Sequence, residues 1–455
     1  MFFESEVIYL SQLTFLLIAA VMLLILSIFT SNEAVISPQF GFAACFIPGI
    51  IYAFYYVDEW NLNLCRQTTD VIILGITVFI GVSALFGRLY RTVRIQYAHS
   101  QYSKDLLPQY PSCCLSDSIP AWKMKLLLLL ELVSLLLVVA FLKKNFGTNI
   151  SAAIYAFRLS NRDVTATNYV SLPGFVRLIR RIALAAGYIV IYLFFNGIVY
   201  KSRRNRITEI ICMILAFANG VILGGRGDGL QLIASGFIIY LLVRRGLSGR
   251  ISFRVSDIIK IIVIVAIVLV TFAGLGSLLG RQMDFLNFND YIAVYLSAEL
   301  KNLDIFIRKG SFGTSFKNSQ TMMNVVNTFG SLLGQQNWIH TLDNPYHYIG
   351  KTALGNVSTT FYAFMYDGGY AGVIGYTALF AAISQIIFQH SLRAKTRYQI
   401  NFSILFYSYV WYTVIFSFFS DKFYEMIFNS AFIWTILSWA LLIIFLNMKI
   451  KIKMR

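Results

Sequence analysis

Eleven stretches of the chain are apolar over roughly one bilayer thickness: residues 8–29, 36–56, 70–90, 124–142, 179–200, 207–224, 229–243, 258–280, 369–389, 400–419 and 427–447. A helix rises about 1.5 Å per residue, so about 20 apolar residues cross a hydrocarbon core. No other feature constrains the fold as tightly. In lipid a segment must satisfy its own backbone, and a helix is the way to do so within one segment. Composition agrees, with 58% hydrophobic and 13% charged residues, where soluble domains carry about 45–50% and about 25%. A soluble enzyme, a disordered chain and a coiled coil are thereby excluded. The expected fold is an all-α polytopic integral membrane protein of about eleven transmembrane helices, with residues 1–455 as a single polytopic membrane domain.

Charge sets the expected orientation. The formal net charge of +17 is concentrated between the apolar runs, where basic residues orient a span and meet anionic lipid. Membrane lipid, and no nucleic acid, is therefore the expected contact. Loops 88–125, 201–206, 244–260 and 390–398 and the KIKIKMR tail are basic, so every second connection reads as cytoplasmic. An odd span count then places the N-terminus outside and the C-terminus in the cytoplasm. The segment MFFESEVIYLSQ has no basic n-region and reads as an uncleaved first span. The five cysteines show no zinc spacing, and Cys113-Cys114 falls in a cytoplasmic loop, so no disulfide framework is expected.

Two external loops stand out, 143–178 and the much longer 281–368. Loops of the second kind are usually functional or folded. Tyr291, Val294, Tyr295, Leu303 and Phe306 suggest amphipathic helices lying on the membrane. Within these loops and the turn at 224–229 lie the residues able to carry chemistry.

Gly224-Gly225-Arg226-Gly227-Asp228-Gly229 joins two apolar runs in a few residues. Gly225 and Gly227 allow a backbone to approach a ligand closely, and Arg226 at a membrane boundary is a candidate clamp for a lipid-linked diphosphate. The alternative is a tight turn with Arg226 snorkelling or paired to Asp228. Basic residues retained outside, among them Arg158, Arg162, Arg177 and Arg281, point to anionic ligands there; for Lys143 and Lys144 headgroup contact is the plainer reading. His340 and His347 are candidate bases. Without third and fourth ligands they hold no metal, and no cofactor is expected. Ser358-Thr-Thr-Phe-Tyr and Tyr366-Asp367-Gly-Gly-Tyr-Ala-Gly372 read as a polar helical segment with a glycine hinge entering the ninth span. Asp58-Glu59 is a solvated turn.

These residues resemble the Wzy-type polymerases of O-antigen, capsule and related surface polysaccharides, the oligosaccharide repeat-unit polymerases. The resemblance runs over about residues 150–390. It rests on LGGRGDG at 223–229, Tyr155 to Arg162, Arg281 followed by Tyr291, Tyr295 and Asn302-Leu303-Asp304, and the Ser358 to Gly372 segment. Gly368-Gly369 stands where the family has phenylalanine-glycine.

The resemblance implies a membrane-embedded, metal-independent glycosyltransferase of the cytoplasmic (inner) membrane, acting on its outer face. A glycan on polyprenyl diphosphate, undecaprenyl diphosphate in bacteria, would be transferred onto a new lipid-linked repeat unit during polysaccharide biosynthesis in the cell envelope. A chain-length regulator and a flippase are the implied protein partners. Arg226, Arg158 and Arg281 would stabilise the departing diphosphate. His340, His347 or Asp367 would take the acceptor proton, and Arg162, Tyr291, Tyr295 and Tyr366 would line the substrate site. The alternative from another class is a flippase for lipid-linked oligosaccharide. The long external loop and the absence of visible repeat halves weigh against it.

Overall fold

In the computed structural model the apolar runs close as helices, and 75% of the chain is helical. The structure describes residues 2–31, 34–100, 114–161, 167–249, 288–350 and 352–448. In chain order the α-helices are α1 Phe2–Thr30, α2 Pro38–Phe54, α3 Arg66–Ser100, α4 Leu115–Ser118, α5 Ala121–Phe146, α6 Ile150–Ser160, α7 Gly174–Val199 and α8 Ile207–Val221. They continue as α9 Gly227–Ser248, α10 Phe288–Leu296, α11 Ala298–Lys309, α12 Met323–Leu332, α13 Phe361–Leu392, α14 Phe402–Ile415, α15 Lys422–Ile427 and α16 Ser430–Asn447. A two-stranded antiparallel hairpin, β1 His347–Ile349 and β2 Thr352–Gly355, completes the set.

Among the described residues seven helices are long and apolar enough to cross a membrane: α1, α3, α5, α7, α9, α13 and α16. Helices α2, α6, α8 and α14 are apolar but shorter. Met22 and Phe29 of α1 are 65% and 81% exposed, an arrangement that costs about 25 cal/mol per Å² in water and nothing in lipid. The chain is an α-helical membrane protein. The run at 258–280, Arg281 and Arg162 lie outside the described residues.

The chain divides into two compact units, each drawn from separated stretches of sequence. The first comprises Met1–Lys104, Met283–His390 and Val410–Asn429. Its centre is aromatic. Phe42 stacks on Phe79 at 4.0 Å, Phe380 meets Phe79 edge-on at 5.1 Å, and Phe380 stacks on Phe423 at 4.0 Å. Such pairs add about 0.5–1.5 kcal/mol beyond their area. Gly49 admits the end of α10 so closely that a β-carbon would stand 2.2 Å from the Leu296 carbonyl oxygen, and the Ser297 hydroxyl donates to the Gly49 carbonyl at 2.8 Å. Helices α10 and α11 turn their apolar faces inward, with Tyr291 and Leu303 buried. Asp304 works as a structural residue. Its Oδ1 accepts from the Cys65 N–H at 2.7 Å and the Thr68 hydroxyl at 2.8 Å, which satisfies the otherwise unpaired start of α3.

The second unit comprises Asp105–Gln282, Ser391–Tyr409 and Ser430–Arg455. Helices α4 to α9 and α16 form it, with the loop at 391–401 and the first half of α14. Buried Lys123 donates to the carbonyls of Phe445, Leu446 and Met448 at 2.7, 2.8 and 2.6 Å. A cation thereby closes the negative end of α16, whose last carbonyls have no partner within the helix. Asn196 donates to the Thr396 carbonyl at 2.6 Å and Tyr192 to that of Gln399 at 3.0 Å, fixing the loop against α7.

Candidate functional site

Arginines gather in the second unit where four helix ends meet. The α8–α9 turn needs its glycines. Gly224 has φ +80°, and a β-carbon on Gly220 would lie 2.9 Å from the Gly229 nitrogen, so the two helices start their crossing in contact. Gly225 is exposed with open space around it. Arg226 is buried immediately before α9, whose first N–H groups are unpaired within the helix and carry the positive end of its dipole. The stem of Arg158, in the last turn of α6, lies against Gly224, where a β-carbon would stand 3.4 Å from its Cδ.

Arg180 of α7 binds this turn from the other side. Its Nε donates to the Asn219 carbonyl at 3.0 Å, and its Nη2 reaches Asp228 at 2.7 Å. Asp228 thus pairs with Arg180, a residue that sequence reasoning passed over. A signal for it existed: Arg177, Arg180 and Arg181 occupy the first two turns of α7, where a helix dipole disfavours cations. Cations placed there need anionic company. Asn219, which holds Arg180, is itself held by α5, donating to Glu131 Oε2 at 2.8 Å and accepting from the Ser134 hydroxyl at 2.9 Å.

The first unit carries the carboxylates and histidines. Helix α13 is kinked at Gly368-Gly369, and Gly369 has φ +57°, a conformation glycine adopts without penalty. The Tyr366 and Asp367 carbonyls at the kink accept from the Gly313 and Thr314 N–H groups at 3.0 and 3.2 Å. Asp367 then fastens the strap at 319–321. Its carboxylate accepts from the Ser319 hydroxyl at 2.5 Å and from the Gln320 and Thr321 N–H groups at 2.8 and 3.0 Å. His340 joins the same strap, its Nε2 facing the Ser319 carbonyl at 3.1 Å and its Nδ1 that of Trp338 at 2.9 Å. Each ring nitrogen thus faces a carbonyl oxygen, and the tautomer decides which of the two donates.

Below the strap opens a cleft of about 140 Å³, lined in part by Thr321, Tyr362, Phe419, Asp421 and Glu425. Tyr291 and Tyr295 support one wall: their rings lie 4.8 Å apart, and Tyr295 stacks on Phe419 at 6.0 Å. Tyr366 stacks parallel to Phe306 at 6.2 Å. His347 sits apart on β1, half-buried, where burial and then the Lys309 ammonium push it below the ordinary imidazole range. Burial lifts Asp421 well above the ordinary carboxylate range, with Glu425 and Asp367 adding to the rise and the Tyr424 N–H and Lys422 opposing it. Asp421, Lys422 and Glu425 were missed in the sequence because SDKFYE reads as an ordinary short external turn. Among the described residues no group of three or more His, Cys, Asp or Glu side chains could hold a metal ion.

These two regions define a helical membrane protein with an arginine-rich helix junction in one unit and a strap-covered polar cleft in the other. No family model matches the chain, and neither does any curated protein or solved structure.

Proposed function

We propose that the protein is a membrane glycosyltransferase that polymerises lipid-linked oligosaccharide repeat units on the outer face of the cytoplasmic membrane. In this reading the seven long helices, α2, α8, α14 and the run at 258–280 are the eleven crossings, with the N-terminus outside and the C-terminus inside. The observation that carries the reading is the gathering of Arg158, Arg180 and Arg226 around the α8–α9 turn, with Arg177 and Arg181 next to Arg180 on α7. A diphosphate that departs without a metal needs its developing charge met by fixed cations and N–H donors. Guanidinium groups at the start of α9 offer both. The resemblance of LGGRGDG to the turn of the repeat-unit polymerases supports the same assignment.

Within this mechanism the bond between the anomeric carbon and the diphosphate oxygen breaks, and the acceptor hydroxyl forms the new glycosidic bond as its proton passes to the His347 imidazole. Asp367 and His340 then serve as positioning residues, since their polar atoms hold the strap. Tyr291 and Tyr295 back the wall that sugars meet. His347, with its basicity lowered, stays neutral at pH 7 and remains available as an acceptor. Arg281 keeps the diphosphate-stabilising role, and Arg162 the substrate-binding role, that the resemblance implies.

The test is the glycan length distribution of cells lacking the gene, complemented with wild type or with Arg226→Ala. Wild type is expected to restore a ladder, while the deletion and the variant leave one repeat unit per lipid. Accumulation of lipid-linked units on the cytoplasmic face in the deletion would instead identify a flippase. A normal ladder from Arg226→Ala would remove the diphosphate clamp.

A further inference from the structure

The cleft beneath the strap has a composition that phosphate, metal and lipid do not explain. At about 140 Å³ it exceeds several-fold the about 30 Å³ of a liquid water. It falls short of the about 300 Å³ at which pockets for drug-sized ligands begin. That is room for one ring-sized polar group, not for an oligosaccharide. Lys422, the cation among its lining residues, already donates to Glu425 at 2.5 Å, so it is not left to hold a phosphate, and the Glu425 carboxylate is already answered. An acyl chain would strand its polar walls.

The walls fit a neutral polyol. Thr321 is only 3% exposed, yet its hydroxyl finds no partner among the described residues, and the same holds for the Ser420 hydroxyl. Both residues line the cleft. Buried hydroxyls left unpaired cost about 1–3 kcal/mol each, so a native site that keeps two of them has a ligand or waters to satisfy them. Tyr362 and Phe419 supply ring faces beside these polar groups. The Tyr362 hydroxyl donates to the Asp343 carbonyl, which fixes that ring. Phe419 is fixed by its stack on Tyr295.

We propose that this cleft seats a single sugar residue of a glycan, with Asp421 accepting from its hydroxyls, Thr321 and Ser420 completing the hydrogen bonds, and Tyr362 and Phe419 flanking the ring. The proposal rests on the polymerase reading for its place in the reaction, as the subsite for the terminal sugar of the incoming repeat unit. As a binding site it is separable from turnover.

The experiment uses the full-length protein in detergent and, as probe, the repeat-unit glycan freed from its lipid by mild acid. The lipid-linked glycan is taken from cells lacking the gene. Saturation-transfer NMR is recorded for wild type, Thr321→Val and Ser358→Trp. Ser358 is a half-buried wall residue, so its replacement by tryptophan fills the cleft from an edge, and thermal melting checks that each variant is folded. Thr321→Val keeps the shape and removes only the hydroxyl, so it stands as the second test should Ser358→Trp misfold. The expected result is transfer to the wild type, its loss in Ser358→Trp, and a dissociation constant raised about tenfold in Thr321→Val, the size of one lost hydrogen bond in a buried site. Equal transfer in all three proteins, or none to the wild type, overturns the proposal. Glycan binding that Ser358→Trp abolishes, in a protein whose deletion leaves the cellular ladder intact, would sink the polymerase reading and spare the cleft. A ladder that needs the gene, with binding indifferent to both variants, would do the reverse.

Discussion

The arginine junction and the polar cleft are built from opposite materials. At the junction the charges are cations set on helix ends, with Arg226 at the start of α9 and Arg180 on the closing carbonyls of α8. In the cleft they are acidic groups at the head of α15, Asp421 as its N-cap and Glu425 in its first turn, beside the Lys422 ammonium and under a strap of loop. Helix termini leave N–H and C=O groups unpaired, so a few residues suffice to hold a charge there. Loops have to be fastened first, as Asp367 fastens residues 319–321. One region is announced by a six-residue turn and completed by Arg158 and Arg180, while the other joins residues as distant as Gln320 and Glu425.

The largest expected effect is on the cationic side. Arg180→Ala should slow polymerisation in proteoliposomes by about 10²-fold, the size found when a positioned group is misplaced by about 1 Å, because the turn that presents Arg226 loses its fastening to α7. Arg180→Lys should recover only part of it, because an ammonium cannot reach the Asn219 carbonyl and Asp228 together as the guanidinium fork does. Wild-type turnover in Arg180→Ala, with an unchanged melting temperature, would erase the contrast between the two regions.

The strap comes next. In Asp367→Asn an amide NH₂ replaces one acceptor oxygen and faces a backbone N–H. Stability should drop by about 1.5–3 kcal/mol, the worth of a hydrogen bond to a charged group, read as a lower melting temperature. An unchanged value would mean that the strap is held by the kink carbonyls alone.

The cleft and the hairpin should then respond to pH in opposite directions. Asp421 holds its proton more tightly when folded than when unfolded, because of burial and its acidic neighbours. The unfolded chain therefore binds fewer protons over that range, and stability falls as pH rises from the ordinary carboxylate range through the raised folded value. Asp421→Asn should flatten that slope in a series of melts.

His347 carries the smaller and opposite effect. Its folded value is lowered, so the stability it contributes is fully present above about 6.5 and declines as pH falls through the folded value. His347→Gln should remove the decline. A His347→Gln protein that keeps the full decline would shift the acid response to another group.

Much of the architecture was legible in the chain. Apolar runs announced the helices, and the glycines at 224–229 and 368–369 announced a tight turn and a hinge, since local backbone demands leave local marks. The arginine junction was half legible: Arg226 and Arg158 stand out in external segments, whereas Arg180 is one arginine in a run until α8 is packed against α7. Tyr291 and Tyr295 looked like residues of a membrane-surface helix, and only the fold turns them into the support of a cleft wall. Asp304 looked like part of a motif and caps a helix that begins 238 residues earlier, at Arg66.

The sequence by itself determined that this chain lives in a membrane as helices, because a backbone removed from water must be paired within its own segment, and segment length and apolarity are written locally. It also determined where backbones could turn tightly. Only the tertiary structure decided which polar groups were spent on holding the fold and which were left for a ligand. The Lys123 ammonium on the end of α16, His340 between two carbonyls, and Thr321 with an unpaired hydroxyl could each have belonged to either set. Hydrogen bonds are settled by whichever donor and acceptor the packing brings within about 3 Å, and residues that meet across many elements share no spacing by which a sequence could declare them.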